Sequence, residues 1–184
     1  MKTLANLILF QLTWMAAVGG AGSGLWWPGL LMLTLFALWH LSTTRWLRAD
    51  LILVGVAASG GFLVDSALLH AGVLSYATPI PFSFAAPVWI VVLWIAFALT
   101  LNHSMGFLRG RPWLAAAFGL TGGPLAYWVA VKVWHAASFG PSEMVSLIVL
   151  GIVWAVLTPI LMYLAVRMVP ERDAELAAEA KLRV

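Results

Sequence analysis

Apolar runs broken by short polar links divide the chain into six segments, at about residues 3–20, 26–41, 51–71, 85–102, 112–135 and 143–168. Most are about 17–23 residues long, the length that carries an α-helix across a ~30 Å hydrocarbon core. The pattern predicts an all-α fold: a polytopic six-helix transmembrane bundle forming one domain over residues 1–169, followed by a charged tail at 170–184. Lys2, the apolar run after it and the small residues that close it resemble a signal peptide, but Asn6, Gln11 and Trp14 interrupt that run, which is long enough to span. Pro112 suits the first turn of a helix, where its missing N–H is no loss. Pro159 predicts a kink in the sixth segment. Pro79 and Pro81 forbid a regular helix in the aromatic link 72–84, which reads as a greasy surface loop or a lid. In the tail, Glu171, Glu175 and Glu179 stand four apart, the spacing of one face of a short solvated helix.

Composition agrees with this pattern. Of the 184 residues 63% are hydrophobic and 9% charged, whereas a soluble domain carries roughly a quarter charged residues. The net charge of +3 comes from a few cations at segment ends and gives no reason to expect a nucleic-acid partner. With no cysteine, disulfides, thiolate metal sites and cysteine nucleophiles are excluded together.

The cations set the expected topology. Lys2, Arg45, Arg48, Arg109, Arg111, Arg167, Arg172, Lys181 and Arg183 occupy the N terminus, the even-numbered links and the tail. By the positive-inside rule both termini face the cytoplasm, with six spans. Trp26, Trp27, Trp89 and Trp134 then fall at the outer interface and Trp39, Trp46 and Trp113 at the inner one, as an aromatic belt.

Against this background one residue stands out. Asp65 lies inside the third segment, where a charged side chain costs roughly 3 kcal/mol and needs a partner or a wet cavity. Lys132 lies near the same depth on the fifth segment, with His135 three residues further along the same expected helical face. A candidate outer polar site therefore comprises Asp65, Lys132, His135, His70 and Ser66, with Asp65 and Lys132 expected to meet unless Lys132 reaches the headgroups instead. At the inner face, Asn102, His103, Arg109 and Arg111 form a candidate rim for lipid headgroups, with His40 nearby. Gly60, Gly61, Gly122, Gly123 and Pro124 predict close packing of the third helix on the fifth, with a break in the fifth.

Several chemistries drop out. Four histidines without a paired motif do not supply a membrane di-iron or zinc-protease ligand set, so no metal is expected. Walker-type and dinucleotide glycine loops are missing, and no cofactor is expected. A haem between His40 and His103 is the one geometric exception. Ser59 has no histidine at matching depth to activate it as a protease nucleophile.

Four blocks carry a family resemblance: Asn6–Trp14, Gly61–Ser66, Leu101–Ser104 running into Leu108–Arg111, and Gly122–Tyr127. They resemble a bacterial inner-membrane family known only as a domain of unknown function, DUF2878, over nearly the whole chain up to Val169. The resemblance implies no activity. It implies a basic residue where Lys132 stands, and a link to lipid, because such genes often neighbour those for modified fatty acids, including cyclopropane fatty-acid synthase-like enzymes. The leading expectation is an accessory protein of membrane-lipid modification, handling or stress adaptation, with a membrane-embedded transferase or isomerase as an open alternative, since one Asp and one His suffice for proton transfer. Its partners would be membrane lipids, with another membrane protein or a second copy of the chain as further partners. The rivals are a small proton- or cation-coupled transporter using Asp65, and a scaffold for a membrane enzyme.

Overall fold

The computed structural model describes residues 2–169. Six helices follow in order: α1 Lys2–Gly22, α2 Pro28–Thr43, α3 Leu47–His70, α4 Val88–Leu101, α5 Pro112–Lys132 and α6 Glu143–Met168. The expected tail helix with Glu171, Glu175 and Glu179 lies outside the described residues. Four helices, α1, α3, α5 and α6, are long and apolar enough to cross a membrane; α2 and α4 are shorter, at 16 and 14 residues. Proline punctuates the starts: Pro28 and Pro112 sit in first turns, and Pro87 precedes α4 in an extended conformation.

Helix ends gather in two groups. At one end Lys2 donates to the Thr43 carbonyl and Asn6 accepts from Ser104, which joins the start of α1 to the end of α2 and the turn after α4. This end carries Arg45, Arg48, Arg109 and Arg111, and is called the basic end below. At the opposite end Thr78 donates to the Ala21 carbonyl, and the two remaining links pair as an antiparallel ribbon, β1 Leu74–Tyr76 with β2 Ala137–Phe139. Tyr76 faces Ala137 in that register. The ribbon is not among the expected elements, because three-residue strands leave no alternation to read.

Helix α4 is the centre of the bundle. It packs against α1, α2, α3 and α6, and ten of its residues are buried, including Trp89, Trp94 and Leu101. A helix apolar on every face is one surrounded by protein, and α4 fits that rule. Outward faces of α1, α3, α5 and α6 expose Leu4, Leu63, Leu125 and Ile152, the surface a bilayer would cover.

Four local expectations change. Helix α3 begins at Leu47, not near residue 51, so Asp50 belongs to its first turn. Helix α5 ends at Lys132, and His135 has a φ of 54°, so His135 leaves the helical face of Lys132. Gly122-Gly123-Pro124 does not break α5, which continues through Pro124. Trp89 is buried, with its indole N–H donating to the Ala77 carbonyl, and takes no part in a lipid-facing belt.

Candidate functional site

Glycine at position 61 makes room for the site around Asp65. A Cβ there would overlap the Trp94 ring, so only glycine lets that indole lie flat on α3 one turn before Asp65. Trp94 Nε1 then donates to Asp65 Oδ2 at 2.7 Å. The other oxygen, Oδ1, accepts from Tyr76 on β1 at 2.6 Å and from Tyr127 on α5. Asp65 is fully buried, and no Lys, Arg or His lies within ion-pair distance of it among the described residues. Three neutral donors from three elements therefore satisfy this carboxyl group, each such bond contributing about 1.5–3 kcal/mol when the acceptor is charged. Burial, and then the charge of Asp65, push the Tyr76 phenol far above its ordinary pKa and keep it a donor.

The network continues through stacked rings. Trp94 stacks on Trp154 of α6 with centroids 4.8 Å apart and planes 7° apart. Trp154 in turn lies on Gly123, where a Cβ would meet its ring. Gly61 thus serves the contact of α3 with α4, and Gly123 that of α5 with α6. The expected close packing of α3 on α5 is replaced by a single hydrogen bond, Tyr127 to Asp65. Gly60 faces open space and Gly122 meets only Phe118 at 3.8 Å, so neither packs on a neighbouring helix; Pro124 packs beside Gly151 of α6.

The expected ion pair is absent for a clear reason. Lys132, in the last turn of α5, bonds Glu143 at the start of α6 at 2.6 Å, and both side chains are exposed. A short link brings that carboxylate next to Lys132 outside the buried layer. His70 bonds the carbonyl of Ser66 at 2.8 Å, Ser66 accepts from the Ala86 amide at 3.0 Å, and His135 is exposed. None of the three reaches the Asp65 carboxyl.

An apolar cleft of about 440 Å³ lies beside this network, between α1 and α5, with Trp94 and Trp154 at its back. Tyr127 also lines it. Gln11, Phe118 and Leu125 are exposed at its margin. On the α5 side Gly119, Gly122 and Gly123 leave backbone in place of side chains. Thr158, fully buried in the lining, has a hydroxyl with no partner among the described residues.

At the basic end a second buried acid organises the polar groups. Asp50 Oδ2 accepts from His40 Nε2 at 2.9 Å, His103 Nε2 at 3.1 Å and the Thr44 hydroxyl at 2.6 Å, while Oδ1 accepts from Asn102 at 3.0 Å. Arg109 Nη2 donates to Asn102 Oδ1 at 3.1 Å, and its guanidinium lies 5.3 Å from the Trp46 ring centroid. Burial lowers the Arg109 pKa, and Asp50 partly offsets this. The His40 and His103 rings meet edge-on at 4.5 Å, leaving no gap for a haem between them. Of the expected rim, Asn102, His103 and Arg109 come together, whereas Arg111 is exposed and stands apart. A polar cavity of about 280 Å³ opens beside His103, with Lys2, Arg45 and Trp46 in its wall.

Asp50, Tyr76, Tyr127 and Trp94 are not among the site residues expected from the sequence. Asp50 is hidden by its position beside Arg48, in what reads as a basic link. Two of the others carry a signal: Tyr127 and Trp94 lie in the interior of apolar segments, away from the ends where aromatic belts form.

Buried acids inside an apolar six-helix bundle define the class: an all-helical protein in which four helices are long and apolar enough to cross a membrane. Within that class, residues 3–160 match the model of a family described as a protein of unknown function (DUF2878), and the chain belongs to that family. No curated protein and no solved structure matches the chain.

Proposed function

We propose that the chain is a bacterial inner-membrane protein, with both termini in the cytoplasm, that receives a lipid acyl chain sideways into the cleft between α1 and α5. It would act as an accessory in modifying or handling membrane lipids. The cleft carries this reading. Its volume of about 440 Å³ falls in the roughly 300–1,000 Å³ range of small-molecule sites. Its walls are apolar and its margin lies among residues exposed on the bundle's outer face. The orientation is supported by the gathering of Arg45, Arg48, Arg109 and Arg111 at one end.

The test is photo-crosslinking in vesicles whose phospholipid carries a photoreactive acyl chain, with the adducts mapped by mass spectrometry. Adducts should concentrate on Phe10, Trp14, Phe118 and Tyr127, and should fall several-fold in Gly122→Trp, which fills the cleft. Labelling no denser there than on the outward Leu63 and Ile152 would rule the site out. A second reading, a carrier that couples transport to Asp65, is favoured by Tyr127 alone, because it touches both the cleft and that carboxyl group. Solute flux in proteoliposomes that survives Asp65→Asn would remove it.

A further inference from the structure

We infer that His40, Asp50 and His103 form a binding site for one divalent first-row transition ion, of the Zn²⁺ or Co²⁺ kind. The three side chains come from α2, α3 and the turn after α4, so the fold, not local sequence, assembles them. Their ligand atoms all lie within 4.8 Å of one another. Both imidazoles direct Nε2 at the same carboxylate oxygen, at 2.9 and 3.1 Å. With metal–ligand bonds of about 2.0–2.1 Å, neighbouring ligands around one ion stand about 2.9–3.4 Å apart. The separations already present therefore match two edges of a coordination polyhedron.

The chemistry of the donors selects the ion. Two imidazoles and one carboxylate suit zinc, cobalt, iron or nickel, and a set of three leaves a position open. Magnesium and calcium prefer oxygen donors alone. Thr44 and Asn102 hold the carboxylate from behind, as the outer contacts of a metal site do, and Arg109 steadies Asn102. His103 is 21% exposed and lines the 280 Å³ cavity, which gives the ion a path from the basic end. The charges facing the cluster are Asp50 within it, Lys2 and Arg45 in the cavity wall, and Arg109 behind Asn102. These cations oppose a bare ion but favour an anionic oxygen at its open position. The site is independent of the acyl cleft, so either can fail without the other.

The experiment uses tag-free full-length protein in detergent, stripped with chelator and titrated with Co²⁺. One ion per chain should bind, read by elemental analysis and by visible absorption bands characteristic of nitrogen–oxygen ligation. His103→Ala removes a ligand at the cavity edge and should weaken binding by more than about 100-fold; Thr44→Val, which touches only the carboxylate, should weaken it about 10-fold. Equal binding by the wild type and His103→Ala would overturn the site. A second measurement needs no variant: Zn²⁺ should raise the wild-type melting temperature where Mg²⁺ does not. If Zn²⁺ produces no rise at saturating concentration, Asp50 is a purely structural acceptor and the inference falls.

Discussion

The two buried acids of α3 sit 15 residues apart in one helix and are neutralised in opposite ways. Asp65 is sealed among aromatic donors whose hydrogens do not leave near neutral pH. Asp50 is ringed by two imidazoles, a hydroxyl and an amide, with a guanidinium behind and a polar cavity in front. The same residue type is enclosed by aromatic donors in one place and adjoins a polar cavity in the other. What decides between them is the chemistry of the donors and the access of water, more than the depth of the carboxylate.

The contrast is sharpest under substitution. Asp65→Ala leaves Tyr76, Tyr127 and Trp94 as buried donors without an acceptor, at about 1–3 kcal/mol each. Thermal unfolding in detergent should therefore show a greater loss for Asp65→Ala than for a change at Asp50, Tyr127 or Lys132. Asp50→Ala should cost less, about 2–3 kcal/mol, because its donors can turn to water in the adjoining cavity. Equal losses for the two would break the comparison. Tyr127→Phe removes one donor from a carboxyl that keeps two, and should lower stability by about 1.5 kcal/mol in the same assay. Lys132→Met breaks only an exposed pair and should change stability by less than about 1 kcal/mol. Combined with Asp65→Asn its effect should add to within about 0.5 kcal/mol; a larger coupling would restore the ion pair that the structure replaces.

Much of the fold is legible because two simple signals run through the chain: apolar length marks each helix and basic residues mark one end. Asp65 is legible for the same reason, as a charge where charge is expensive. Its partners are not. Depth along a helix is readable from sequence, but the direction a side chain takes across a bundle is not. Tyr127, not Lys132, is the residue of α5 that lies level with Asp65, and Lys132 five residues on turns to Glu143. The glycines mark the right places but not the right contacts, because a small residue announces close approach without naming what approaches. Gly61 receives Trp94 and Gly123 receives Trp154. The pairing of Asp50 with His40 is obscured by a boundary shift of about one turn, since α3 starts before its apolar run does.

The donors of Asp65 also impose an order on biogenesis. Tyr76, Trp94 and Tyr127 follow it in the chain by 11, 29 and 62 residues. Synthesis therefore makes α3 and its acid before any of the three donors. A chain that stops after α4 contains Tyr76 and Trp94 but lacks β2, the strand with which that of Tyr76 pairs. Only once β2 has followed α5 does the chain contain every element that the closed site uses.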